Sequence, residues 1–256
     1  MTEILLEDLT KRFGRVVAVD RLNVRIRGGE FFAVVGPTAC GKTTLLKLIA
    51  GLLKPDGGKI YFDGERVNPL GPAERGVRMV FQGESYALYP HLKVFDERRY
   101  SNLSFPLKLR RTVTSEIRRI VGGISRRLEI EEALYPRKPD ELSEGQKQKV
   151  AVGRAIALPP RVLLLDEPLS NLDPQSRLRA REEIRKLHEE LKVTTIYVTH
   201  DLAEAFSLAD RMAVMREGSF LQVGTPREIQ RYPANQFVKD FVESYKRLVG
   251  KPLSSE

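Results

Sequence analysis

The octet Gly36-Pro37-Thr38-Ala39-Cys40-Gly41-Lys42-Thr43 fits G-x-x-x-x-G-K-T and follows directly on the apolar run Phe31-Phe32-Ala33-Val34-Val35. A buried strand turning through a glycine-rich loop into a helix is the context in which this pattern cradles phosphate, and Thr44-Leu45-Leu46-Lys47-Leu48-Ile49 supplies the helix. The glycines let backbone N–H groups converge on an anion, and the helix start adds the positive end of its dipole. In such a cradle Lys42 reaches the β- and γ-phosphates, and the Thr43 hydroxyl takes one Mg²⁺ position.

The remaining chain supplies neighbours for that strand. Ile4-Leu5-Leu6, Val16-Val17-Ala18-Val19 and Leu22-Asn23-Val24-Arg25-Ile26 read as short strands, the last by its period-two alternation. The helix after the loop is predicted to run to about Leu53, where Lys54-Pro55-Asp56-Gly57-Gly58 ends it. Lys59 to Phe62 enters a tight turn at Asp63-Gly64, and Val77 to Phe81 reads as another strand. From about Val94 to Ala157 the pattern turns helical and Arg-rich, with breaks at Pro106, Pro136 and Pro139. Strand-like runs return at Val162 to Leu165, Thr194 to Val198 and Arg211 to Met215, with a helix from Ser176 to Leu191. Strands alternating with helices predict an α/β fold, a parallel sheet with crossovers and a helical insertion. Pro233 to Val249 reads as a terminal helix.

An apolar content of 41% and a charged content of 30% are ordinary for a globular chain, and 256 residues suffice for one well-buried core. No run approaches the roughly 18 apolar residues that a membrane span needs. The acidic start Met1 to Asp8 lacks the basic region of a secretory signal, and Cys40 is the single cysteine. These features predict a cytosolic chain. The formal charge is +9, and Arg98 to Lys149 holds 13 Lys/Arg against 7 Asp/Glu. That stretch has no aromatic-interleaved basic motif, so no nucleic-acid partner is expected. Two readings remain: a solvated helical face, or a surface beside anionic lipid headgroups.

Val162-Leu163-Leu164-Leu165 runs into Asp166-Glu167-Pro168, so a buried strand carries paired carboxylates to the edge where doubly wound sheets bind ligands. Asp166 fits a Mg²⁺ partner acting through water, and Glu167 a general base for the attacking water. Leu142-Ser143-Glu144-Gly145-Gln146 heads a further helix, Lys147 to Ala157. Ser143 and the Gly145 backbone there form either a second anion-binding surface or a plain serine cap.

Four strings together resemble the ATP-binding subunits of ABC transporters: Gly36 through Thr44, Leu142 through Gln146, Leu163 through Pro168, and Ser170-Asn171-Leu172-Asp173. Within that family the chain is most similar to subunits of maltose-type sugar importers. Ser85-Tyr86-Ala87-Leu88-Tyr89-Pro90-His91, Asp166 through Asp173, Gly224-Thr225-Pro226 and Tyr232-Pro233-Ala234-Asn235 carry that narrower likeness. The resemblance implies a P-loop NTPase core with an N-terminal antiparallel β subdomain and an inserted α-helical subdomain. The ATPase domain would span residues 1–235, its helical part about 94–157, with a C-terminal helix and tail at 236–256.

The resemblance also assigns roles. ATP would lie on Gly36, Pro37, Thr38, Ala39, Cys40, Gly41, Lys42, Thr43 and Thr44, with Phe13 stacked on adenine. Mg²⁺ would be held by Thr43, Gln82 and Asp166, with Gln82 sensing the γ-phosphate. Glu167 would be the base, and His200 would hold the attacking water. Ser143, Gly145 and Gln146 would come from a partner ATPase subunit, identical or closely related, and Asp173 would lie at that interface. Membrane permease subunits, and a solute-binding protein acting through them, would complete a solute importer at the cytoplasmic face of the membrane. A polyamine, metal or oxyanion importer or an exporter would use the same engine. A soluble relative acting on nucleic acid or ribosomes lacks support, since neither a paired nucleotide domain nor a coiled-coil insertion is present.

Three departures stand out. Glu144 replaces the usual glycine of the signature string, which puts a carboxylate near a phosphate-binding surface. Gly83-Glu84 and Arg98-Arg99-Tyr100-Ser101 read as insertions where membrane-subunit contact is expected. Sugar-import relatives carry a β-rich regulatory domain after the Tyr232-Pro233-Ala234-Asn235 string, and regulation through it is expected to be absent here.

Overall fold

A computed structural model describes residues 1–81, 88–170 and 172–249. In chain order the elements begin with strands β1 (Ile4–Phe13), β2 (Val16–Ile26) and β3 (Phe31–Val35), helix α1 (Lys42–Ala50), and strands β4 (Gly57–Phe62) and β5 (Glu65–Arg66). Helix α2 (Pro72–Arg75), strand β6 (Val77–Val80), and helices α3 (Phe105–Leu109), α4 (Thr114–Arg127) and α5 (Glu144–Ile156) follow. Then come β7 (Val162–Asp166), α6 (Pro174–Leu191), β8 (Thr194–Thr199), α7 (Leu202–Leu208), β9 (Arg211–Arg216), β10 (Ser219–Gly224), α8 (Pro226–Arg231) and α9 (Gln236–Val249). They fall into two compact units, one of Met1–Arg75 with the chain from Val193 onward, the other of Gly76–Lys192.

In the first unit an antiparallel sheet has the order β2-β1-β4-β5. The sequence pattern predicts two short strands where β2 is one, because register shifts in its pairing with β1 absorb the break between Val19 and Leu22. Asp63 (φ 52°) and Gly64 (φ 82°) turn β4 into β5, the left-handed pair that a two-residue hairpin favours. The buried strand β3 lies parallel to both β8 and β9, with Val34 opposite Val198 and Ala213, and β10 adds antiparallel to β9. Ala33, Val35, Met212 and Val214 pack there with Leu202 and Ala205 of α7 and with Val238 and Val242 of α9.

Helix α1 ends at Ala50, short of the predicted Leu53. Gly51 takes the left-handed conformation, and the backbone N–H groups of Gly51 and Leu52 fold back to Leu48 and Lys47. The terminal carbonyls also receive a buried cation: Arg75, 1% exposed, donates to Leu48 and Ile49 at 2.7 and 2.8 Å. Burial pushes that guanidinium below its usual pKa.

In the second unit β6 and β7 are parallel, Val80 opposite Leu165. The buried residues Ile117, Val121 and Ile124 of α4 recur at helical spacing, and α4 lies close on α5. A Cβ at Gly153 would come within 2.9 Å of the Ile124 and Leu103 methyl groups, so a larger residue there would make these side chains move. The helical stretch predicted from 94 to 157 lies inside this unit as α3, α4, α5 and two short 3₁₀ turns. The sequence reading passed over α7, β10 and α8. Each is six or seven residues long, too short to show a period on its own.

Candidate nucleotide-binding site

Buried along its whole length, β3 delivers the chain to Gly36. A Cβ on Gly36 would stand 2.1 Å from the Met215 carbonyl oxygen, and one on Gly41 2.1 Å from that of Ala18. Gly41 also has φ 111°, which L side chains rarely adopt. The loop therefore closes only because both positions lack a side chain. Lys42 opens α1 with 4% of its surface exposed, and its ammonium donates to the carbonyls of Gly36 and Pro37, each at 2.9 Å. Pro37, Thr38 and Ala39 form the exposed tip, Cys40 is buried beneath it, and Thr43 and Thr44 lie in the first helical turn. No side chain caps α1 at Gly41, which leaves its first N–H groups to the loop or to an anion.

The contact between Ala18 and Gly41 ties the β1–β2 hairpin to this loop, and Phe13 stands near the hairpin's tip. Its ring is half-exposed, with the Lys11 ammonium 5.5 Å from the centroid. His200 follows β8 and is exposed. A buried acid that the sequence reading missed organises this corner: Glu204, 3% exposed, accepts from the Tyr197 hydroxyl at 2.8 Å and the Thr199 hydroxyl at 2.7 Å. A lone acid among the apolar residues Leu202, Ala203, Ala205 and Phe206 was its only trace in the sequence. His200 also borders a cavity of about 370 Å³ whose far wall is Phe241, Ser244 and Tyr245 of α9.

In the second unit β7 is buried throughout and ends on Asp166, 2% exposed. The chain turns at once, Glu167 taking φ 43° while its carbonyl accepts from the Ser170 backbone and hydroxyl. A bulky residue held in that region at the end of a buried strand is the kind of local strain found at reacting centres. Asp173 caps α6, its carboxylate accepting from the Gln175 and Ser176 N–H groups at 3.1 and 3.0 Å. Hydrogen bonds from Ser176 hold that carboxyl below its usual range.

Ser143 caps α5 in a reciprocal box. Its hydroxyl accepts from the Gln146 N–H at 3.3 Å, and the Gln146 side-chain oxygen accepts from the Ser143 N–H at 2.9 Å. Glu144 is not left to face an incoming anion unopposed, because Lys147, one turn on, holds one carboxylate oxygen at 2.6 Å. The other oxygen is buried and, among the described residues, has no hydrogen-bond partner. Gln82, Gly83-Glu84 and Ser85-Tyr86-Ala87 lie outside the described residues, as does Asn171.

The pattern of the ABC transporter family matches residues 19–170. The chain is 50% identical over 244 residues to the osmoprotective compounds uptake ATP-binding protein GgtA of Synechocystis. It is 48% identical over 250 residues to the trehalose/maltose import ATP-binding protein MalK of Thermococcus litoralis. Each match takes in 95% of this chain but 65% of the relative, so the chain spans just under two thirds of either. Among solved structures, the dimeric ATP-binding cassette MJ0796 bound to ADP and phosphate superposes with a TM-score of 0.76 at 30% identity, over 88% of this chain and 99% of that one. The core is thus that of an ABC ATPase cassette. With glycine-locked loop, carboxylate strand and serine-headed helix in one chain, and a family pattern covering more than half its length, the protein belongs to the ABC transporter family.

Proposed function

We propose that this chain is the ATP-hydrolysing subunit of a transporter that imports a carbohydrate-class solute. The observation that carries the reading is the cradle at Gly36–Lys42, which no side chain but hydrogen could close and in which a buried ammonium donates to the loop's own carbonyls. ATP phosphates would take the place of those carbonyls on Lys42, with Phe13 as the adenine platform. Thr43 and Asp166 offer the hard oxygen donors that suit Mg²⁺, together with Gln82. When bound, that ion neutralises charge between the β- and γ-phosphates.

Glu167 accepts a proton from water as its oxygen bonds to the γ-phosphorus. The bond to the β,γ-bridging oxygen breaks, and ADP and phosphate leave. His200 positions that water, and the Tyr197–Glu204–Thr199 network holds the end of β8 in place. Ser143, Gly145 and Gln146 of a second ATPase subunit would close over the γ-phosphate, with Asp173 at the seam. Loss of that phosphate would release the pair and pass the motion to permease subunits at the cytoplasmic face of the membrane, fed by a solute-binding protein. The domain reading above, residues 1–235 with an inserted helical part, belongs to the same proposal. The dimeric form of the cassette MJ0796 supports the pairing, and the import named for the trehalose/maltose relative supports the direction and solute class. The relative named for osmoprotective compounds favours a second reading, the same engine serving such a compound.

The test compares ATP turnover of the purified chain with that of Glu167→Gln. Turnover should fall about 10²–10⁴-fold while nucleotide affinity stays within a few-fold, and ATP should drive the variant into a dimer. Equal turnover in the two proteins would remove Glu167 from the chemistry.

A further inference from the structure

His200 is exposed, yet the residues on either side of it are pinned. Strand β8 runs parallel to β3 with Thr199 opposite Val35, so the chain leaves β8 level with the point at which β3 enters the phosphate loop. Thr199 is 2% exposed, and its hydroxyl makes two bonds at once. It donates to the Glu204 carboxylate at 2.7 Å and accepts the Asp201 N–H at 3.0 Å. One oxygen therefore joins a buried acid to the backbone on the far side of His200.

Both ends of that link are themselves held. Glu204 receives the Tyr197 hydroxyl on the same carboxylate oxygen, at 2.8 Å. Asp201 caps α7, its carboxylate accepting from the Ala203 N–H at 2.7 Å. Leu202 and Ala205 of that helix pack with Ala33 and Val35 of β3. The helix that carries Glu204 is thus seated on the strand that leads into the loop. A buried carboxylate needs donors, and a hydroxyl with one hydrogen and two lone pairs can serve the acid and the amide together. Thr195 lies on the same face of β8 and is equally buried, but its hydroxyl lies 3.4 Å from the Val193 carbonyl, away from the histidine.

We propose that Thr199 is a positioning residue for His200. Its hydroxyl, anchored on Glu204, fixes the backbone that carries the imidazole and so fixes where the imidazole points. This role rests on the one proposed above for His200, which is to hold the attacking water. Valine at position 199 keeps the branched shape and removes the oxygen, which frees the turn between Thr199 and Asp201. A misdirected imidazole is felt in the chemical step, whereas the loop that binds nucleotide is untouched. The signature is a fall in kcat with KM for ATP unchanged.

Steady-state ATP turnover of the full chain tests this. Thr199→Val should lower kcat about tenfold with KM within about twofold, and Thr199→Ser, which keeps the hydroxyl, should recover to within about threefold of the parent. Thr195→Val makes the same chemical change on the same strand and should stay within about twofold. The double variant decides between aiming and mere support. His200→Ala should lower kcat by itself, and adding Thr199→Val should lower it no further, because the hydroxyl acts through the imidazole. Glu204→Gln, which keeps an acceptor oxygen but loses the charge, is the milder second variant: kcat should fall about threefold, again with no effect in the His200→Ala protein. Three outcomes beside an impaired His200→Ala protein overturn this role alone: an equal loss in Thr195→Val, a multiplied loss when Thr199→Val is added to His200→Ala, or a rise in KM in place of the fall in kcat. A His200→Ala protein as active as the parent would instead overturn the role of the histidine in hydrolysis, and that of Thr199 with it.

Discussion

The phosphate loop and the head of α5 both place backbone N–H groups at a helix start, yet they are built on different principles. At Gly36 and Gly41 the backbone passes so close to the Met215 and Ala18 carbonyls that a methyl group has no room. At Gly145 a Cβ would meet only Leu172, at an ordinary 3.8 Å. The loop uses a buried ammonium to hold itself shut, whereas α5 is closed by the Ser143–Gln146 box, a cap that many surface helices carry. A site built by exclusion of side chains is complete within one chain. A capped helix start becomes a phosphate clamp only when something else brings the phosphate to it, which is why the proposed role of the signature string demands a second subunit.

The largest effect should come from placing the same substitution in both regions. Gly41→Ala must relieve the clash with Ala18 at φ 111°, and the backbone shift should cost about 3 kcal/mol or more and abolish nucleotide binding. Gly145→Ala should unfold within about 0.5 kcal/mol of the parent and bind nucleotide as a monomer normally. Chemical denaturation with titration of a fluorescent ATP analogue checks both, and equal sensitivity at the two glycines would erase the contrast.

A smaller effect concerns the charge that this chain adds to its signature string. If Lys147 offsets Glu144, Lys147→Ala should weaken ATP-driven dimerisation of the Glu167→Gln protein roughly fivefold. Adding Glu144→Gln should restore it to within about twofold. Failure of the second change to rescue would mean that Lys147 acts in some other way.

The smallest effect is a pH dependence at Asp173. Its carboxyl is held below the ordinary value of 3.8 in the folded chain, so its contribution is present above that value. The contribution is lost as pH falls through the lower, folded-state value. Asp173→Asn keeps the cap without a titrating group, so its acid unfolding should begin at a pH no higher than the parent's and show a shallower slope below about pH 4. Superimposable acid limbs would show that the cap bonds contribute nothing measurable.

Legibility from sequence followed how local each feature is. The loop, β3, β7 and the carboxylate pair were readable, because a run of buried apolar residues against a turn is a property of neighbouring positions. The continuity of β2 across Asp20-Arg21 was not, because the bulges that carry it through are set by its partner β1. Glu204 and Arg75 were also missed. Each is a charged residue whose worth lies in partners distant along the chain or buried with it: Tyr197 and Thr199 for the first, the last carbonyls of α1 for the second. For Glu144 the sequence posed the question of where the charge goes, and the helical turn answered it by bringing Lys147 into reach.

Order and spacing of the strings alone were enough to determine that this polypeptide has a glycine-rich loop between a buried strand and a helix, paired acids at a strand end, and a serine-headed helix. Those features rest on backbone sterics and hydrogen-bonding valence, which act over a few residues. Only the tertiary structure decided which glycines are irreplaceable and which charges are neutralised. Those outcomes depend on close packing between segments far apart in the chain, and a linear string of residues does not record that proximity.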